Sequence, residues 1–355
     1  MNFTSTPFAF LLFFLVLILS FVRSQTVRKV ILLGTCFTFY SYWEWRLVVL
    51  LSFFILTNFF FTILIKRTES PKIQNIIAVL GIILNLIFLG FFKYFNFFID
   101  NLNTILIGTN INLQTLSILL PLGISFYSFE AISYLIDIKR KTIHPSHSLL
   151  DYALYISYFP RIVSGPIQRA PDFFSQLNRG IYLSLPNLIV GGQLILRGML
   201  KKLVIADNLG IMTNEIFGAP SIFASASTWV AVFAYSIQIL FDFSGYTDMA
   251  IGISKIIGID LPQNFNLPYT SQSVTEFWRR WHITLSTWFR DYVFFPMEIS
   301  RVRKNRPQFL QLFNILIIFL LTGIWHGASW NFVLWGMLHG VSIVIERIFH
   351  KSQNI

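Results

Sequence analysis

Long apolar runs separated by short clusters of lysine and arginine recur along most of this sequence. A run of about 20 apolar residues is what a helix needs to cross a bilayer. Inside hydrocarbon every backbone polar group must be satisfied internally, so runs of this kind fold as spanning helices. The fold expected is therefore all-α, a polytopic integral membrane protein. The runs allow about nine to eleven transmembrane helices, with re-entrant or interfacial helices between them. Only 12% of the 355 residues are charged, about half the share in a soluble domain. The net charge of +11 then reads as loop charge that orients spans, not as the footprint of a nucleic acid. Cys36 is the single cysteine and sits in an apolar segment, which excludes a disulfide and a thiolate metal site.

Taken in order, Pro7 to Val22 is apolar and is followed by Arg23, Arg28 and Lys29. It has no basic segment before it and no small-residue cleavage site, so it reads as a retained first span. Val30 to Tyr42 and Leu47 to Ile65 follow, divided by the interfacial turn Trp43-Glu44-Trp45-Arg46. Ile73 to Phe92 is a further span, then an asparagine-rich stretch over 96–112, then Thr115 to Asp137 ending at Lys139-Arg140-Lys141. Asp137 is expected to pair near that basic edge. The distribution of lysine and arginine puts 23–29, 66–72 and 139–141 in the cytoplasm, with 96–112 and the N-terminus outside. Leu149 to Pro166 is interrupted by Pro160, Arg161, Gly165 and Pro166, and reads as a kinked helix entering a re-entrant or interfacial turn. Asn187 to Ala206 is a span with Lys201-Lys202 at its edge. Trp229 to Ile257 carries Asp242 and Asp248 in apolar surroundings, and both carboxylates should face the bundle interior and find donors. Beyond the basic stretch 301–306, Gln311 to Ile345 is one apolar run.

Two stretches hold side chains that spanning alone does not require. Read as a helix from Thr275, a turn of about 100° per residue puts Arg279, His282, Ser286 and Arg290 on one stripe. Phe277, Trp281, Trp288 and Tyr292 fall opposite. An amphipathic helix lying at the membrane surface would show the same division. The second stretch places His326 far from any charged loop, between Gly323 and Gly327, a small-xxx-small spacing that permits close helix approach. Held away from water, its imidazole is expected uncharged and able to accept a proton. His339 lies about 140° from His326 on an ideal helix and should not share its site. His144, His147 and His350 fall in loops or the tail. Zinc would lack ligands here, since neither histidine has an i, i+4 partner or adjacent carboxylates. One neutral histidine and a donor for an oxyanion suffice to deprotonate an alcohol attacking an activated acyl group. The alternative is a transporter or channel, with Asp242, Asp248 and His326 as a buried proton or ion path. The sequence shows no internal repeat in its favour.

Four segments, FPRIVSGPIQR (159–169), FDFSGYTDMAIG (241–252), NFNLPYTSQSVTEFWRRWHITLSTWFRDY (264–292) and TGIWHGASWNFVLWGMLHG (322–340), resemble the membrane-bound O-acyltransferase family. The likeness is to the branch that O-acetylates alginate and D-alanylates teichoic acid, and it runs from about Leu116 onward. It implies a single domain over 1–355, with N-terminal spans in 1–115 and a motif-bearing core in 116–345, forming a helical ring around a thin centre with a central tunnel. It implies that His326 is the catalytic histidine and His282 the second histidine of the motif. Arg279, Ser286, Arg290, Asp242 and Trp325 are then candidates to line the tunnel or touch substrate. No metal or bound cofactor is implied. The co-substrate would be an acyl thioester, acetyl-CoA or an acyl carrier, on the cytoplasmic face of a bacterial inner membrane. The acceptor would be a hydroxyl of an exported polysaccharide or of an extracytoplasmic partner. Members of that branch usually continue through further spans, so the end at Ile355 reads as a C-terminal truncation. The topology is open to test by cysteine labelling. Cysteines placed at Asn103 and Thr142 should react with an impermeant reagent from opposite faces of the membrane, and reaction of both from one face would remove it.

Overall fold

The computed structural model describes residues 1–109, 111–145 and 148–352, so His147 lies outside the described residues. Every regular element among them is helical. In chain order these are α1 (Thr6–Phe21), α2 (Gln25–Ser41), α3 (Arg46–Arg67), α4 (Pro71–Ile105) and α5 (Ile124–Lys139). Next come α6 (Leu149–Ser157), α7 (Phe159–Ile162), α8 (Ala170–Arg179), α9 (Leu185–Met199), α10 (Asp207–Gly218) and α11 (Ser225–Ile257). The series closes with α12 (Val274–Arg280), α13 (Ile283–Phe289), α14 (Phe295–Arg303), α15 (Phe309–His326) and α16 (Trp330–Ser352). Two compact units result, one from residues 1–56 with 146–264, the other from 57–145 with 265–355.

Five of these helices, α3, α4, α11, α15 and α16, are long and apolar enough to cross a membrane. The count of nine to eleven came from apolar runs, and the difference lies in where the runs break. α1 and α2 have 16 and 17 residues, roughly 25 Å of helix against about 30 Å of hydrocarbon. The run from Thr115 begins as a helix only at Ile124, because Gly123 is left-handed at φ 73° and Pro121 lies just before it. α4, in contrast, continues past Phe92 to Ile105. Its asparagines serve as a strap. Asn96 and Asn103 each donate to a carbonyl and accept from the N–H of the same residue, Leu116 and Leu113 respectively, at 2.8–3.0 Å. An irregular segment thereby has backbone groups satisfied along a helix. The run from Gln311 is also two helices, broken after His326, and the stretch from Thr275 breaks at Trp281 and His282.

In the first unit α9 lies against α11 through paired glycines. A Cβ on Gly191, Gly198, Gly245 or Gly252 would come within 2.5–2.8 Å of the opposite glycine's carbonyl oxygen. Beside them Asp248 takes Arg197 in a two-pronged pair at 2.7 and 2.9 Å, and Lys201 Nζ at 2.7 Å. The expectation that Asp248 finds donors in the interior holds. Lys201 and Lys202 do not mark a bare edge. They belong to a π-helical turn, Leu200–Ala206, and Lys202 reaches both Asp207 and Asp242 at 2.8 and 2.7 Å. Asp242 is half-exposed, not buried. The kink at α6–α7 encloses Arg161, 2% exposed, with its guanidinium 4.8 and 4.9 Å from the Tyr155 and Phe173 ring centres.

In the second unit a buried pair, Asn58 and Asn85, joins α3 to α4 with amide bonds of 3.1 and 2.7 Å. Asp137 accepts from Tyr292 Oη at 2.7 Å. α15 and α16 form a hairpin whose helices nearly touch. A Cβ on Gly323 would lie 2.3 Å from Phe332 O, and one on Gly336 2.3 Å from Phe319 O.

Packing this close tolerates no added atoms. Gly198→Val should disrupt the α9–α11 contact and lower the melting temperature in detergent, overpacking costing typically 1–3 kcal/mol. Gly192, one position from the seam and with open space around its Cβ direction, is the control, and Gly192→Ala should leave melting unchanged or raise it.

Candidate functional site

All but one of the candidate site residues lie in the second unit. α12 starts on a side-chain cap, Ser273 Oγ accepting from Glu276 N at 3.0 Å. The Gln272 N–H and then Arg280 hold the Glu276 carboxyl below the usual carboxylate range. The helix stops at Trp281, which is extended, and His282 turns left-handed at φ 41°. That region is sparsely used by residues other than glycine, asparagine, aspartate and histidine. Nothing in Arg279-Arg280-Trp281-His282 signals a break, since no glycine or proline is present. The break is driven by tertiary packing. Trp281 stacks against Tyr269 and Phe277 and meets Phe265 edge-on at 5.1 Å. His282 is buried, 1% exposed, and its carbonyl receives the first N–H groups of α13, from Leu285 and Ser286 at 3.1 Å.

The continuous stripe of Arg279, His282, Ser286 and Arg290 is therefore corrected. Arg279, Ser286 and Arg290 do come together, with Arg347, on the wall of a cavity of about 540 Å³. Apolar side chains, Phe319 and Ile318 of α15 among them, form much of the remainder. His282 lies elsewhere, with its ring 6.1 Å from Trp325. Trp325 is next to His326 in sequence and space, ring centres 5.1 Å apart, nearly perpendicular. Both histidines thus pack on one indole.

From His326 the contacts continue along rings. Trp335 of α16 meets His326 edge-on at 4.9 Å, His339 meets Trp335 at 4.8 Å, and Trp278 meets His339 at 5.1 Å. The expectation that His339 stands apart from His326 assumed one continuous helix. The turn after Gly327 folds α16 back, so both histidines touch the same tryptophan. On the other side Phe129 of α5 lies 5.5 Å from Trp325 and stacks on Trp288 at 3.9 Å.

Two further residues escaped the sequence reading. Tyr94 Oη donates to Ile324 O at 2.7 Å, and Lys93 Nζ donates to Trp325 O and bonds Ser125 Oγ at 3.0 Å. Lys93 stands within α4, one of the five helices apolar enough to span. An ionisable side chain within such a helix is rare and marks a functional position by default. That lysine, directly after the apolar run Ile73 to Phe92, is the signal the sequence offers. Asp242 belongs to the first unit and is engaged by Lys202. With Asp248 held by Arg197 and Lys201, neither carboxylate is an open step in an ion path.

Residues 139–353 match the family model described as MBOAT, the membrane-bound O-acyltransferase family. The chain belongs to the membrane-bound O-acyltransferase family. It is a multi-pass membrane protein and an O-acyltransferase. It is 38% identical to the protein named "Probable alginate O-acetylase AlgI" of Azotobacter vinelandii, over 98% of this chain and 69% of that one. It is 34% identical to the peptidoglycan O-acetyltransferase of Helicobacter pylori, over 99% of this chain and 70% of that one. A teichoic acid D-alanyltransferase of Bacillus subtilis is 35% identical over 65% of this chain and 60% of its own length.

The left-handed backbone at His282 makes packing and chemistry separable there. Asparagine tolerates that conformation, so His282→Asn should melt within a few degrees of the parent. Its acyl transfer should fall by two to three orders of magnitude, the size of effect typical for losing an oxyanion donor. Parental turnover in this variant would leave His282 a packing residue.

Proposed function

We propose that the chain moves a small acyl group, acetyl foremost, from a thioester donor on the cytoplasmic side to a hydroxyl on the far side of a bacterial inner membrane. The donor would be acetyl-CoA or an acyl carrier. The acceptor would be an exported polysaccharide, or an extracytoplasmic partner that relays the group. The observation that carries this reading is the placement of two imidazoles against one buried indole, Trp325 being 7% exposed. The relatives named for O-acetylation of alginate and of peptidoglycan support acetyl as the group and a polysaccharide as the acceptor.

In this mechanism His326 takes the proton of the acceptor hydroxyl as that oxygen attacks the thioester carbonyl. A C–O bond forms, the C–S bond breaks as the tetrahedral intermediate collapses, and the proton leaves on the departing thiol. His282 orients the thioester or polarises its carbonyl, a donor aimed at developing charge being worth about 2.7–4 kcal/mol. The aromatic surroundings exclude water, which would otherwise consume the thioester. The cavity walled by Arg279, Arg290 and Arg347 suits the phosphate groups common to coenzyme A and to carrier-bound phosphopantetheine, since guanidinium groups pair with phosphate in a fork.

The test is polymer acylation in cells carrying each variant at matched membrane levels. General-base assistance contributes typically 10²–10⁴-fold, so His326→Gln, which keeps size and hydrogen bonding without the same basicity, should lose acylation to that degree. Substantial acylation with Gln at this position would rule the base role out. Donor-dependent acylation in proteoliposomes separates the enzyme from a transporter, which would move solute and acylate nothing.

A further inference from the structure

His326 stands at the last position of α15, where a helix has carbonyls that no residue of its own can satisfy. Around that end α4 makes three polar contacts. Lys93 Nζ donates to Trp325 O, Tyr94 Oη donates to Ile324 O at 2.7 Å, and the Trp330 indole N–H donates to Asn101 Oδ1 at 2.8 Å. The first two lie just before His326 and the third lies at the start of α16, so one helix grips the turn on both sides of the histidine. Phe97 adds a ring contact to Trp330 at 5.8 Å.

The lysine is not interchangeable with a neutral donor here. Its ammonium meets the negative end of the α15 dipole and stands 5.4 Å from the centre of the Trp325 ring, within reach of a cation–π attraction. A second donor goes to Ser125 Oγ on α5 at 3.0 Å. Lys93 therefore holds both the backbone and the side chain of the residue on which His282 and His326 pack.

We propose that Lys93 is a positioning residue for His326: its ammonium, shared between the Trp325 carbonyl, the Ser125 hydroxyl and the Trp325 ring, sets where α15 ends and so where the imidazole points. The inference rests on the base role given to His326 above. It assigns Lys93 no contact with substrate. Misplacement of a reacting group by about 1 Å is enough to lose 10²-fold in rate.

The experiment uses the full chain in proteoliposomes, with radiolabelled acetyl-CoA as donor and the polysaccharide fraction of the parent cells as acceptor. Lys93→Met keeps the length of the side chain and removes its donors and charge. It should lower kcat by about 10²-fold and leave KM for acetyl-CoA unchanged. In a His326→Gln background the same change should cause no further fall, because the group it places is no longer the base. A fall that persists undiminished in that background, or one carried by KM, would overturn the positioning role. If Lys93→Met does not accumulate, Lys93→Gln gives the same readings, since it retains a neutral donor and loses the ammonium. Parental kcat in either variant beside an inactive His326→Gln would overturn this inference alone, whereas an active His326→Gln would remove the proposed function with it.

Discussion

A helix that ends away from water leaves its last carbonyls bare, and an unpaired buried carbonyl is costly. α15 ends part-buried at His326, and much of the second unit follows from how that end is closed. Lys93 and Tyr94 supply the donors for Trp325 O and Ile324 O. The chain then leaves the helix in extended conformation at Gly327, and α16 returns against α15 so closely that Gly323 and Gly336 have no room for a side chain. The return brings Trp335 and His339 to the same face as His326. Had α15 continued, these rings would lie on one helix with their faces set by helical rotation alone.

The same constraint governs the charges of the first unit. A lone carboxylate or ammonium inside a bundle is expensive, and a paired one is tolerated where the geometry is good. Asp248 meets this by accepting from both Arg197 and Lys201, one residue on α9 and one on the π-helical turn after it. That turn lets consecutive lysines, Lys201 and Lys202, both reach α11, at Asp248 and at Asp242. π turns occur mostly as short interruptions inside α-helices. The glycine seam beside them brings the two helices near enough for these bonds to form.

Several parts of this arrangement were legible in the sequence. The all-helical membrane character followed from the length and polarity of the apolar runs, and the kink near Pro160 from its proline. The interior pairing of Asp248 followed from the cost of burying an unpaired carboxylate. What could not be read were breaks with no local signal. Trp281 and His282 leave the helix because Trp281 packs against Phe265, Tyr269 and Phe277, two of which precede the helix. A stripe drawn at about 100° per residue therefore joined His282 to arginines that face a different space. The helix expected over Thr115 to Asp137 begins only at Ile124 for a different reason. Leu116 in its first part is satisfied by Asn96 from another element, a solution that hydrophobic periodicity does not register. Lys93 was visible, but a solitary lysine is easily taken as the end of a span when it is a part-buried donor within a longer helix.

The rings around His326 point to how such a site keeps its shape. Along this path orientation is set by edge-to-face contacts, with the His326–Trp335, Trp335–His339 and His339–Trp278 pairs at 86°, 65° and 89°. Aromatic pairs of this kind prefer edge to face because ring edges are positive and ring faces negative. Each contact is worth only about 0.5–1.5 kcal/mol beyond its buried area, but a chain of them restricts every ring in it. An imidazole held by ring edges and faces keeps its nitrogens available to a substrate, whereas one held through a nitrogen hydrogen bond has already spent that capacity. For the base role proposed for His326, placement by packing and by a capped backbone orients the imidazole through its ring faces and edges.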